Sequence, residues 1–273
     1  MGGVAMQMPF VDAHLHLQDP RFKGKVNEVI GRAKNAGVGL FFCNAIKEED
    51  WPEVTALAAA HREIIPFLGI HPWFSDTAAS GWQHRLMAAA ETLDRTFGIG
   101  ETGLDRSCRI DFDIQRRLFA EHLELAAARN WPLSVHCVRA WGALADMLST
   151  FSLCQPLPPV LIHSFNGSTE MMRRLTELGC YISYSEALAQ QQTKLHQTFT
   201  QTPSEYLLLE TDAPYAKNPD RKKGPNQDTV NEPSDMVELY RHAARLLQVD
   251  TDELVTRIWN NATIFTNQNA AGC

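Results

Sequence analysis

Short apolar runs rich in β-branched and aromatic residues recur at fairly even intervals, and the stretches between them carry helical periodicity. Eight such runs predict strands at residues 10–16, 39–46, 64–72, 97–105, 132–138, 160–167, 180–186 and 206–214. Of the intervening helices, 113–130 places Ile114, Leu118, His122, Leu125 and Ala128 on one stripe, with an acidic residue at its start and Asn130 after its end. Ser168 opens another helix that Gly179 stops, and a last pair is predicted near 234–248 and 251–260. This alternation predicts an α/β chain folded as a closed (β/α)8, or TIM, barrel, with an open doubly wound sheet as the alternative. No Gly/Ser-rich linker, low-complexity tract or repeat divides the 273 residues, so 1–273 is expected to form a single domain. One stretch breaks the pattern: 214–233, PYAKNPDRKKGPNQDTVNEP, predicts an irregular, lid-like loop after the eighth strand, at the end where barrel enzymes place their catalytic residues.

The polar interruptions of the apolar runs carry the chemistry. VDAHLHL (11–17) sets Asp12, His14 and His16 at every second position. Side chains two apart on a strand share a face, with Cα atoms about 6.6 Å apart. The two imidazoles can therefore converge on one cation, while Asp12, one layer deeper, is placed to hold a ligand histidine's second N–H. Glu101, His136, His163 and Asp212 stand at or near the ends of four further strands and face the same mouth. Burying carboxylates without partners is costly, and a cation removes that cost. Four imidazoles with two or three carboxylate oxygens exceed one tetrahedral ion and suit two adjacent divalent metals with a bridging carboxylate.

Other residues fall around this set. His71, ending the third strand in GIHPW, reaches the mouth as a substrate contact or as a hydrogen-bonded rim residue. Asp105 either orients a metal-bound group or caps a turn, and Trp73 is the tryptophan placed to line the mouth. His61, His84, His122, His196 and His242 lie in helical segments and read as surface or packing residues.

Composition narrows the classes. Hydrophobic residues make up 44% and charged residues 21%, with no apolar run of membrane-spanning length and no secretory signal, so a cytoplasmic protein with no membrane association is expected. The six cysteines lack a Cys-x-x-Cys pair, which fits reduced thiols and excludes a cysteine zinc site. A net charge of -7 argues against coating duplex nucleic acid by electrostatics alone. Lys217, Arg221, Lys222 and Lys223 nevertheless gather in the long loop, which fits an anionic substrate such as a phosphate ester. No obligate protein partner is evident.

The set DAHLHL, GIHP, GETGLD, a strand-end VH, IHSFNG and ETDAPY, in this order across nearly the whole chain, resembles the TatD family of metal-dependent hydrolases within the amidohydrolase superfamily. The resemblance implies a (β/α)8 barrel with one metal held by His14, His16, Glu101 and Asp212, and a second by Glu101, His136 and His163. Asn231, Glu232 and Pro233 are similar to the family's Asn-Glu-Pro, whereas Ser164 and Asn166 stand where its pattern has Cys and Ser. It further implies a deoxyribonuclease acting on phosphodiesters, with single-stranded DNA as the expected substrate. One or two divalent ions (zinc, manganese, nickel, cobalt or magnesium) would serve as cofactors. Asp212 is then the candidate general base for the attacking water, Glu101 the bridging carboxylate and His71 a contact for developing charge. Two alternatives remain at this level: an ester, amide or aminoacyl hydrolase of the same superfamily, and a non-catalytic scaffold whose metal stabilises the barrel.

Overall fold

Eight parallel strands pair in strict chain order in the computed structural model, which describes residues 8–93, 95–190, 193–215 and 230–267. They are β1 (Phe10–Leu15), β2 (Val38–Asn44), β3 (Ile64–Leu68), β4 (Gly98–Asp105), β5 (Leu133–Val138), β6 (Val160–Ile162), β7 (Tyr181–Tyr184) and β8 (Leu207–Leu209). Around them run α1 (Val26–Asn35), α2 (Trp51–Ala60), α3 (Trp82–Glu91), α4 (Phe112–Arg129), α5 (Trp141–Ser152), α6 (Thr169–Glu177), α7 (Thr193–Thr200), α8 (Met236–Leu247) and α9 (Thr251–Phe265). This is the predicted (β/α)8 barrel, and no described helix is long and apolar enough to cross a membrane.

Strands β6, β7 and β8 stop at Ile162, Tyr184 and Leu209, short of the predicted ends at 167, 186 and 214. The apolar run continues, but the backbone leaves the ladder: Ser164 and Asp212 take left-handed conformations with φ of 45° and 52°. Those turns cost strain in residues other than glycine. They put His163 and Asp212 on loops at the rim rather than inside strands. The expected stripe on α4 is also shifted. Gln115, Leu118, Phe119, His122, Leu123 and Ala126 are buried and Ala128 is exposed. Gln115 is drawn inward because its amide accepts from Asp105 N at 2.7 Å and donates to Asp105 O at 3.1 Å. The ends of α4 follow the sequence signals, with Asp111 accepting from Asp113 N and Ile114 N and Asn130 turning left-handed.

The seam between β1 and β8 closes in an unusual way. One bridge, Leu15 with Ala213, joins them beyond the end of β8. Asp212 N donates to His14 O at 2.9 Å and His16 N donates to Ala213 O at 2.7 Å. Below this, Asp12 does not hold a ligand histidine as expected. Its carboxylate reaches sideways across the seam and accepts from Thr211 N at 2.9 Å and Thr211 Oγ1 at 2.6 Å. Burial nevertheless pushes the Asp12 carboxyl up to about 8. Deeper still, the Tyr240 hydroxyl of α8 accepts from Val11 N and donates to Val11 O, satisfying peptide groups that β8 is too short to meet.

At the opposite end of the barrel Phe42, Phe67 and Phe265 pack with ring centroids 5.5–6.2 Å apart. Residues 216–229 lie outside the described residues, and with them most of the predicted lid-like loop and all four of its basic residues. Where the chain is described again, Glu232 receives two hydrogen bonds of 2.9 Å from Arg32 on α1. The five cysteines among the described residues are free, with Cys43, Cys137 and Cys180 buried.

Two glycines give a matched test of the backbone reading. Gly103 on β4 has φ of 141°, and a Cβ there would lie 2.0 Å from His136 O. Gly31 on α1 has open space around it. Gly103→Ala should cost about 2–4 kcal/mol of stability. Gly31→Ala should add roughly 0.5–1 kcal/mol. Urea denaturation midpoints of the two variants check both signs.

Candidate metal centre

Glu101 sits on β4 in the sequence GIGETG, where glycines let neighbouring strands approach its backbone closely. A Cβ on Gly69 would stand 2.7 Å from the Gly100 backbone. The carboxylate is 2% exposed and faces five imidazoles. Oε2 lies 3.4 Å from His14 Nε2 and 3.6 Å from His16 Nε2. Oε1 lies 2.8 Å from His163 Nε2, 3.1 Å from His136 Nδ1 and 3.4 Å from His71 Nε2. Asp212 Oδ1 joins the first side at 3.5 Å from His16 Nε2. All seven residues predicted for the site are therefore together, and the two oxygens of Glu101 divide them.

The i, i+2 spacing of His14 and His16 does bring both rings to one point, with their Nε2 atoms 3.2 Å apart. His14 and His163 stack face to face, with centroids 3.9 Å apart. Nitrogens so close, around one carboxylate, repel one another if more than one imidazole carries charge, whereas neutral imidazoles pointing lone pairs inward form a cation site. Among the described residues, three sets of ligand atoms lie within 4.8 Å of one another: His14–His16–Glu101, His71–Glu101–His136 and His14–His163–Glu210. The donor set is nitrogen and carboxylate oxygen, fitting a borderline divalent metal.

The outer hydrogen bonds separate the histidines by role. A carbonyl only accepts, so His16 Nδ1, 2.8 Å from Asn44 O, carries a proton, and in the neutral ring Nε2 turns its lone pair inward. His71 is the reverse case. Trp73 N donates to its Nδ1 at 3.1 Å, and burial pushes the ring down to about 4, so the neutral imidazole holds its proton on Nε2. His71 is thus a hydrogen-bond donor aimed at Glu101, suited to contacting an anion rather than ligating a cation in that tautomer. His14 Nδ1 pairs with Ser134 Oγ at 3.1 Å, and His136 Nε2 with Asp105 Oδ2 at 3.4 Å.

Charge compensation sets the titration of the cluster. Burial opposes ionisation of Glu101, but the facing histidines, His163 first, hold it well below the usual carboxylate range. Burial likewise acts against His163⁺, yet Glu101 and then Glu210 hold that ring well above its ordinary value. Asp212 is lowered, its burial outweighed by the His16 hydrogen bond and the charges of His163, His14 and His16. Both carboxylates are therefore ionised at neutral pH.

Several participants were not singled out by the sequence. Glu210 is fully buried, with Oε1 3.4 Å from His163 Nδ1 and the other oxygen bonded to Ser183 Oγ. It belongs to the acidic end of LLLETDAP, and that carboxylate at the end of an apolar strand is the signal that could have found it. Ser134 shares a face of β5 with His136 by the same-face rule that picked out His14 and His16, whereas Asn44 and Gln115 carry no such signal, because their partners come from other elements. Asp105 takes the orienting role: Oδ1 accepts from Ser107 N and Oγ, while Oδ2 accepts from Trp73 Nε1 at 2.7 Å and faces His136. Asn231 Nδ2 donates to Thr211 O at 2.6 Å, fastening the chain after the long loop to the seam. His122 is a packing residue as expected, donating to Leu118 O, accepting from Ile70 N and stacking on Trp82.

A family model described as TatD related DNase matches residues 11–267. YjjV of Escherichia coli K12, named as a metal-dependent hydrolase, is 29% identical over 260 residues, covering 94% of this chain and 97% of YjjV. A protein of Edwardsiella piscicida named 3'-5' ssDNA/RNA exonuclease TatD is 28% identical over 259 residues, covering 92% and 97%. The crystal structure of E. coli YjjV superposes with a TM-score of 0.84 at 28% identity, over 97% of this chain and all of that one. A TatD-family hydrolase of Entamoeba histolytica shares the fold with a TM-score of 0.83 at 20% identity, over 97% of this chain and 100% of that one. With a barrel, a buried histidine–carboxylate cluster and a family match across nearly its whole length, the chain belongs to the TatD family of metal-dependent hydrolases.

Proposed function

We propose that this chain is a single-domain, divalent-metal-dependent phosphodiesterase acting on single-stranded nucleic acid. In this reading His14, His16, Glu101 and Asp212 would hold one ion, and Glu101, His136 and His163 would hold a second. The observation that carries it is the division of imidazoles between the two oxygens of Glu101, which is the arrangement a bridging carboxylate needs. The names of the relatives support a nucleic acid substrate.

Divalent ions bound there would supply positive charge at the phosphoryl oxygens and acidify the attacking water. The residues do the rest. Asp212 is ionised and its side chain is 15% exposed, the most open of the two central carboxylates, so it is placed to accept the proton as water attacks phosphorus. As the new P–O bond forms, the P–O bond to the leaving oxygen breaks, and that oxygen takes a proton from solvent. His71 presents Nε2–H to the same space and can donate to a phosphoryl oxygen as its charge grows. Asn44, Ser134 and Asp105 hold His16, His14 and His136 in register, so little reorganisation accompanies the reaction.

The direct test is to strip the protein with a chelator, confirm the loss by elemental analysis, and assay single-stranded DNA, an aryl phosphodiester and an aryl ester as zinc, manganese, nickel, cobalt or magnesium is restored. Phosphodiester turnover that falls with stripping and returns with one of these ions is expected; full turnover by the metal-free protein would sink the proposal. Ser134→Ala should weaken metal affinity about 10–100-fold while leaving the circular dichroism spectrum intact. Asp212→Asn should lower kcat by about 10²–10⁴. Steady-state kinetics on the aryl diester measure that loss.

A further inference from the structure

Trp73 stands apart from the other aromatic residues of the barrel. It follows His71–Pro72 in the short 3-10 turn Pro72–Phe74 that leaves β3, and it is 50% exposed. Other large exposed hydrophobic residues among those described, Met8, Leu153 and Ile264, have no contact with the Glu101 cluster. Trp73 does: its ring meets His71 edge-on at 4.8 Å between centroids and lies 6.4 Å from His136.

The exposure is fixed rather than incidental. The indole N–H donates inward to Asp105 Oδ2 at 2.7 Å, and Asp105 is 1% exposed and is itself held by Ser107 and by Gln115 on its backbone. The polar edge of the indole is therefore anchored in the protein while the residue as a whole stays half exposed at the rim. A ring held in one orientation offers a stacking surface without the entropic cost of ordering it on binding. Bases of every kind present a π-face, so such a surface grips a nucleic acid strand without reading its sequence.

We infer that Trp73 is a stacking platform for a nucleobase next to the phosphodiester held at the Glu101 cluster, and hence a substrate-binding residue. This rests on the phosphodiesterase reading for the identity of the polymer. It adds that the protein grips bases as well as phosphates. Asp105 links the two tasks, since one carboxylate oxygen both anchors the indole and faces His136.

The test measures binding of the full-length protein, with its metal as purified, to a fluorescent, nuclease-resistant phosphorothioate oligothymidylate. The same oligomer is then made with one abasic residue stepped through each position. In the wild type, one or two positions should cost roughly 5- to 100-fold in affinity when the base is removed. Trp73→Ala should flatten that profile, and Trp73→Phe, which keeps a flat ring but lacks the N–H, should retain most of it. A flat wild-type profile, or a profile unchanged in Trp73→Ala, overturns the proposal. So does a Trp73→Phe variant as flat as Trp73→Ala, because the effect would then run through Asp105 and not through stacking. Turnover of a thymidine aryl phosphodiester is measured in parallel. Its absence beside an intact abasic profile would remove the hydrolase reading and leave the platform, while turnover beside a flat profile would do the reverse.

Discussion

Glu101 carries a negative charge into a place where water scarcely reaches, and the cost of doing so organises the mouth of the barrel. An isolated buried carboxylate would take up a proton. Here strands β1, β3, β5 and β6 each deliver a histidine toward it from their C-terminal ends, and β1 delivers two. A closed ring of parallel strands is well suited to this, because every strand ends at the same rim and no side chain has to reach far. The same ring restrains the cluster, since each histidine lies in a strand or within three residues of a strand's end.

That restraint is reinforced from outside. Each inner histidine is turned by a partner drawn from a different element: Asn44 from β2, Asp105 from β4, Ser134 from β5, and Glu210, one residue past β8. His71 is the instructive exception. A backbone N–H reaches its Nδ1, which reverses its tautomer relative to His16 and makes it a donor. Two residues of the same type, a few ångströms from the same carboxylate, are thereby assigned opposite chemistry by nothing more than a carbonyl in one case and an amide in the other.

Much of this was legible in the sequence, because alternation along a strand and the common direction of parallel strands are local rules. They placed His14 beside His16 and predicted that Glu101, His136, His163 and Asp212 would share a mouth. What the sequence did not show depends on contacts between strands. Asp12 was expected to serve a histidine and instead spans the seam, where its carboxylate takes two hydrogen bonds from Thr211. The lengths of β6 and β8 were overestimated because left-handed turns at Ser164 and Asp212 have no apolar signature. Gln115 was missed for a similar reason: its use is to hold the backbone of a residue ten positions away.

The seam has a further consequence. Strands β1 and β8 are joined chiefly where His14, His16, Asp212 and Ala213 interleave, so an ion gripped by those side chains would also rivet the first strand to the last. Cofactor occupancy and ring integrity then become linked equilibria, with stability growing as the logarithm of free ion above its dissociation constant. The place where the chain most easily comes apart would be governed by the cell's supply of metal.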